Sequence, residues 1–125
     1  MNMTAAPVIL LDCTGVGDVL ARIGDKWAVQ IVVVLFRRTE RFNQIKRHVP
    51  GISQQMLTRT LKLLERDGMV RRRVRDTAPP QVEYSLTELG VSLADPLRLL
   101  AQWAIDNRDA IRESREKYDE VVASD

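Results

Sequence analysis

The chain has 125 residues, of which 45% are hydrophobic and 29% are charged, a composition typical of one globular domain and not of a disordered chain. No apolar run approaches the roughly 20 residues that a transmembrane helix needs. Residues 1–11 are apolar but lack the basic start and the cleavage site of a signal peptide. A single cysteine excludes an internal disulfide framework. We therefore expect a cytoplasmic protein with no membrane partner.

The charge is distributed unevenly along the chain. The formal net charge is only +2, but residues 37–75 hold twelve basic and three acidic residues, a local net charge of +9. The remainder of the chain carries a net charge of −7. This segregation predicts a middle segment that binds a polyanion, flanked by acidic, solubilising helices.

The first half of the chain has the periodicity of three helices. Apolar residues recur at helical spacing from Val16 to Ile23, and Gly24 is a natural C-cap. Asp25 can cap a second helix that is apolar nearly all round, a pattern that favours a buried central helix. After a polar stretch at residues 37–41, a short third helix is predicted over residues 42–49.

The second half predicts a fourth helix, a hairpin and a long final helix. Ser53 is a candidate N-cap for an apolar stripe of helical period that closes at Gly68. A stretch rich in Val and Arg over residues 69–75, and alternation of Val82, Tyr84 and Leu86 after two prolines, predict two strands joined by an irregular turn. Thr87 can cap a last helix, and the residues from 106 onward form a charged, exposed helical tail.

This order of elements is typical of a winged helix-turn-helix, a mainly α domain with a small β-hairpin wing (α+β). The fourth helix, about residues 53–67, is then the recognition helix, and the hairpin, about residues 69–86, is the wing. Gln, Thr and Arg side chains can hydrogen-bond base edges in the major groove, and arginines on a wing can reach phosphate or the minor groove. An alternative is that the alternating arginines only keep an edge hairpin soluble. The predicted DNA-binding residues are Ser53, Gln54, Gln55, Thr58, Arg59, Lys62, Arg71, Arg72, Arg73 and Arg75.

Several motifs also resemble a known family. These are residues 23–27 (IGDKW), 41–45 (RFNQI), 50–57 (PGISQQML), 64–70 (LERDGMV) and 79–90 (PPQVEYSLTELG). In this order they resemble the HxlR-type regulators, which are related in architecture to MarR-type proteins, and the resemblance spans residues 13–105. One departure is the turn at residues 37–40, where the family often has a Gly-Pro pair, and we expect it to alter only a surface turn.

The resemblance implies a homodimeric bacterial transcription factor in which the first and last helices form the dimer interface. The recognition helix and the wing would then bind palindromic operator DNA. On this basis residues 1–125 form one domain, with a DNA-binding core at about 25–87, dimerisation helices at about 12–24 and 88–110, and a charged C-terminal tail. The apolar stripe of the last helix, which ends at Trp103, also favours a dimer, because together with the apolar N-terminal segment it exceeds what a small domain buries alone.

Cys13 is a candidate redox-sensing residue. The resemblance implies this role, because some family members use a cysteine near this position to sense oxidants, quinones or aldehydes. A cysteine near a helix N-terminus can have a lowered pKa, whereas the adjacent Asp12 opposes thiolate formation. The alternative is a structural Cys13 in a regulator that has a small-molecule effector or no thiol sensing.

Two other functions are alternatives to a DNA-binding regulator. An enzyme is disfavoured because the sequence has no nucleophile–base set, no glycine-rich phosphate loop and no metal-ligand cluster, so neither a cofactor nor a metal is expected. His48, the only histidine, is predicted to be a surface residue without a metal role. The second rival is a protein-binding winged helix whose basic surface is incidental.

Overall fold

The computed structural model describes residues 15–124. Its elements follow the chain in the order helix, helix, strand, helix, helix, strand, strand, helix. They are α1 (Val16–Gly24), α2 (Lys26–Arg37), β1 (Glu40–Arg41), α3 (Phe42–His48), α4 (Gln54–Arg66), β2 (Val70–Arg75), β3 (Gln81–Leu86) and α5 (Glu88–Ser124). The fold is a winged helix-turn-helix, which confirms the fold class predicted from the sequence.

Three helices begin at the side chains that the sequence indicates. The Asp25 carboxylate accepts a hydrogen bond from the Trp27 backbone N–H at 2.9 Å. The Ser53 hydroxyl accepts one from the Met56 N–H at 3.0 Å, and the Thr87 hydroxyl accepts one from the Gly90 N–H at 3.1 Å. Each cap satisfies a donor that the first turn of a helix leaves without an intrahelical partner. The starts of α2, α4 and α5 are therefore fixed locally.

The core of the first compact unit, which ends at Ser92, lies between α2, α3 and α4. Its fully buried side chains are Ile31, Val32, Ile45, Val49, Leu57, Thr60 and Leu64. Burial of this apolar surface holds α4 by one face, because each large aliphatic side chain removed from water contributes about 1.5–3 kcal/mol.

The prediction that α2 is buried nearly all round is only partly correct. One stripe of the helix is buried, including Ala28 and Leu35, but Val33 and Phe36 are 52% and 56% exposed. Gln30 is the only polar residue between Lys26 and Arg37 at the two ends of α2, so apolar residues lie on nearly every face and the pattern does not show how much of the helix meets the core. The second face of α2 is therefore an exposed apolar surface in the single chain.

The sheet has three strands and not the two of the predicted hairpin. The strand order is β1-β3-β2 and both pairings are antiparallel. In β1, Glu40 lies opposite Tyr84 and Arg41 lies opposite Glu83. The expectation that residues 37–40 form only a surface turn is therefore wrong at Glu40, which is 4% exposed and whose carboxylate accepts a hydrogen bond from Arg38 Nε at 2.8 Å.

The second compact unit begins at Leu93 and consists of the rest of α5. Its surface is charged but carries exposed apolar side chains, among them Leu100 and Trp103. Residues 112–124 are exposed throughout. Among the described residues, no helix has the length and hydropathy needed to cross a membrane.

Candidate nucleic-acid interface

The polar face of α4 and the N-cap residue before it together gather six of the ten side chains that the sequence predicts to bind DNA. The apolar face of the helix, with Leu57, Leu61 and Leu64, is buried against the core. The opposite face lines one open depression of about 830 Å³. The polar residues of this depression are Ser53, Gln54, Gln55, Thr58, Arg59 and Lys62.

The side chains of this face differ in what they can still bind. Ser53 already accepts the hydrogen bond that caps α4, which leaves its hydroxyl proton for a ligand. Gln54, Gln55, Arg59 and Lys62 are exposed, whereas Thr58 is half-buried. Because an α-helix has a partial positive charge at its N-terminus, the turn that carries Ser53 favours an anion.

Strand β2 separates the four predicted arginines onto two faces of the sheet. Arg71, Arg73 and Arg75 alternate with Arg72 along the strand, so they point to the opposite side from it. Arg72 pairs with Tyr84 in the register, on the face that also carries the buried Val70. The structure therefore brings Arg71, Arg73 and Arg75 together and does not bring Arg72 to the same face.

Arg75 differs from its neighbours because it is paired with an acid. Its Nε lies 3.0 Å from Oε1 of Glu83 on the adjacent strand. Neither Arg71 nor Arg73 forms an ion pair within 4.0 Å with another of the residues described here. The arginines are exposed, and two of them thus have guanidinium groups free for an external anion.

The sequence reasoning missed Arg41 and Glu83, which belong to the same face of the sheet. Arg41 in β1 and Arg73 in β2 lie directly opposite Glu83, one on each side of the central strand β3. The sequence shows Glu83 as a charged residue in an alternating strand. Which residues lie opposite it depends on the strand register and on the pairing with β1. The two-residue strand β1 has no periodicity that a sequence could reveal.

A second polar cluster lies at the end of α2. Glu40, Arg38 and His48 line a depression of about 510 Å³ together with Arg37, Val33 and Val34. His48 is half-exposed, as predicted, and its Nε2 is 4.0 Å from Oε1 of Glu40. Among residues 15–124, no group of three or more His, Cys, Asp or Glu side chains is arranged to hold a metal ion.

Cys13, the predicted redox-sensing residue, lies outside the described residues. The first described residue, Gly15, precedes α1 with a positive φ of 88°. The reactivity of Cys13 therefore stays a prediction from the sequence.

The chain is similar in sequence and structure to known transcriptional regulators. The HTH-type transcriptional regulator YtfH of Escherichia coli (strain K12) is 40% identical over 86 residues, which cover 69% of this chain and 68% of the relative. The solved structure of the transcriptional regulator ytfH from Salmonella typhimurium matches with a TM-score of 0.74 at 37% identity, covering 85% of this chain and 94% of that chain. The redox regulator HypR in its reduced form matches with a TM-score of 0.73 at 39% identity, covering 80% of this chain and 99% of that chain.

The model of the HxlR-like helix-turn-helix family matches residues 22–112, from α1 through most of α5. This range contains α4, the whole three-stranded sheet and all ten residues predicted to bind DNA. The chain therefore belongs to the HxlR-like helix-turn-helix family of transcriptional regulators.

Proposed function

We propose that this regulator binds palindromic operator DNA as a homodimer, with α4 in the major groove and the β2–β3 wing against the DNA backbone. The observation that carries this proposal is the exposed face of α4, where five polar side chains and the N-cap Ser53 line one open depression while the opposite face is buried. A major groove about 12 Å wide admits one α-helix. The predicted division into a DNA-binding core (about 25–87) and dimerisation helices (about 12–24 and 88–110) is part of the same proposal.

Within α4 the side chains divide by chemistry between base edges and phosphate. Gln54, Gln55 and Arg59 carry the amide and guanidinium groups that pair with adenine or guanine edges. Thr58 can contact a base edge or a thymine methyl group from its half-buried position. Ser53, at the N-terminus of the helix, and Lys62 supply phosphate contacts, which set register without reading sequence.

The wing supplies a second set of phosphate contacts in this proposal. Arg71 and Arg73 are exposed on the same face of β2, and no described residue neutralises either of them by an ion pair within 4.0 Å. Arg72 projects from the other face, beside Tyr84. It therefore contacts DNA only where the duplex passes that side of the sheet, and we rank it below Arg71 and Arg73.

Exposed apolar side chains support the homodimer. In α1, Val19 and Leu20 are about half exposed, and in α5 the side chains of Leu100, Trp103 and Ile105 are more than half exposed. Large apolar side chains grouped on a helix surface are typical of protein–protein contact. A two-fold dimer of such chains would present two α4 helices to half-sites about one DNA turn apart.

Two alternatives account for the signal to which the regulator responds: oxidation or modification of Cys13, or a mechanism without thiol sensing. One relative with a similar structure is named a redox regulator, which supports a sensing role for the thiol of Cys13. With one cysteine per chain, sensing would proceed through sulfenic acid, an adduct or an intersubunit disulfide. A small-molecule effector with a structural Cys13 is the other alternative.

Selection from a randomised duplex library tests the proposed DNA binding. We expect enrichment of inverted half-sites separated by about one helical turn. Guanine N7 atoms in those half-sites should be protected from dimethyl sulfate, because this atom faces the major groove. A library that shows no enrichment after repeated rounds, with folded protein, would contradict the proposal and favour a protein-binding winged helix.

A further inference from the structure

The outward face of the sheet has an acid at its centre. Strand β3 is the middle strand, and Glu83 lies in a row with Arg41 of β1 on one side and Arg73 of β2 on the other. Directly opposed residues of antiparallel strands have Cβ atoms about 4.5–5.5 Å apart, so Arg41 and Arg73 flank Glu83, although neither forms an ion pair within 4.0 Å with its carboxylate.

A third arginine makes a direct contact with the same carboxylate. Arg75 Nε is 3.0 Å from Glu83 Oε1 along the diagonal of the sheet. The Glu83 side chain is 21% exposed, whereas that of Arg75 is 55% exposed. The acid is therefore largely covered by the side chains around it, while the arginine remains at the surface that a polyanion would meet.

The geometry points to Glu83 as a specificity-determining residue: by holding Arg75 and offsetting part of the positive charge of the wing, it limits binding to DNA phosphate irrespective of sequence. The inference rests on the proposed DNA-binding function. Phosphate contacts supply nearly all of non-specific binding, whereas base contacts distinguish one sequence from another. A carboxylate among the wing arginines therefore weakens the first contribution and leaves the base contacts of α4 unchanged.

The opposite role would require the acid to aim Arg75 at the DNA. In that case removal of the acid would weaken binding, because Arg75 would lose its orientation. If Glu83 instead offsets the charge of the wing, its removal should strengthen DNA binding, because one cation per protomer is released. Each additional phosphate contact steepens the dependence of log K on log [salt] by about 0.9. Relative to equal affinity at about 1 M salt, this slope makes binding about eightfold tighter at 0.1 M and about fourfold tighter at 0.2 M.

The experiment measures fluorescence anisotropy of a random-sequence duplex with the full chain between 0.05 and 0.2 M salt, a range chosen as on the order of physiological ionic strength. We expect Glu83→Gln to bind more tightly than the native chain, with a slope steeper by about one per protomer. Glu83→Asp, which keeps the charge, should retain a slope near the native value. Glu113→Gln is the matched control, because it makes the same chemical change on the exposed surface of the second unit.

A compensating variant separates charge release from a purely structural effect. Arg75→Ala alone leaves Glu83 to pair with Arg73, so the slope should become shallower than native. Arg75→Ala combined with Glu83→Gln removes both members of the pair and should restore the native slope.

The failure of this inference is distinguishable from the failure of the proposed function. The native chain could bind tightly and with salt dependence while Glu83→Gln, shown to be folded by circular dichroism, has an unchanged or shallower slope. This result would overturn only the role of Glu83. Salt-independent or absent binding by the native chain would overturn both.

Discussion

Gly90 lies where the first turn of α5 crosses the start of β2, and its replacement by alanine should destabilise the protein. A Cβ at this position would lie 2.2 Å from the carbonyl oxygen of Met69, 3.0 Å from Leu86 Cδ2 and 3.2 Å from the Met69 carbonyl carbon. The Met69 carbonyl also accepts the Thr87 N–H at 3.1 Å. The clash is with backbone, so a rotamer change of a neighbouring side chain cannot relieve it.

The magnitude follows from three contributions. Forcing an extra methyl group into a packed site costs about 1–3 kcal/mol. Loss of the Thr87–Met69 hydrogen bond adds about 1 kcal/mol. The higher helix propensity of alanine offsets about 1 kcal/mol. We therefore expect Gly90→Ala to lower the free energy of unfolding by about 1–3 kcal/mol.

Urea denaturation followed by circular dichroism at fixed protein concentration measures this change. With a slope of about 1–3 kcal/mol per molar urea, the midpoint should fall by about 1 M. Gly17→Ala in α1 is the matched control, because among the described residues a Cβ there would meet nothing within 4 Å apart from its chain neighbours and the backbone of its own helix. That variant should be as stable as the native chain or more stable. A Gly90→Ala chain with an unchanged midpoint would refute the reasoning.

Three further predictions concern DNA. Arg71→Ala combined with Arg73→Ala should make the salt slope of duplex binding shallower by about 1.8 per protomer. The control Arg98→Ala in the second unit should leave the slope unchanged. An unchanged slope in the wing variant would show that the wing does not contact DNA. Arg59→Ala should weaken binding to a selected sequence more than to a random duplex, and equal weakening in gel-shift titrations would reassign Arg59 to phosphate. If Cys13 is the sensor, a mild oxidant should change the affinity for duplex DNA reversibly, and Cys13→Ser should abolish that response; an oxidant response that persists in Cys13→Ser would exclude the thiol.

Much of the fold could be predicted because its signals are local. Helical spacing and capping residues such as Asp25 and Ser53 act within one or two turns, and the structure places both caps as the sequence indicates. Helix α4 was predictable for the same reason, since one apolar stripe leaves its other face polar. Five of its predicted DNA-binding side chains and Ser53 before it therefore lie together.

The features that the sequence did not reveal depend on long-range pairing. Strand β1 has two residues, so no alternation marks it, and its pairing with β3 spans more than forty residues of chain. The contact between Arg75 and Glu83 depends on the hairpin register, which an irregular turn with two prolines does not specify. Exposure of Val33 and Phe36 depends on which elements pack against α2, and a helix with apolar residues on nearly every face does not indicate that choice.

The salt dependence of duplex binding by the native chain tests the central claim most directly. Lys62, Arg71 and Arg73 give three cations per protomer that are unpaired among the described residues, and a dimer would neutralise six phosphates. We expect log K to fall against log [salt] with a slope of about −5 in fluorescence anisotropy titrations. A slope near zero would contradict DNA binding through this face and favour a protein partner for the winged helix.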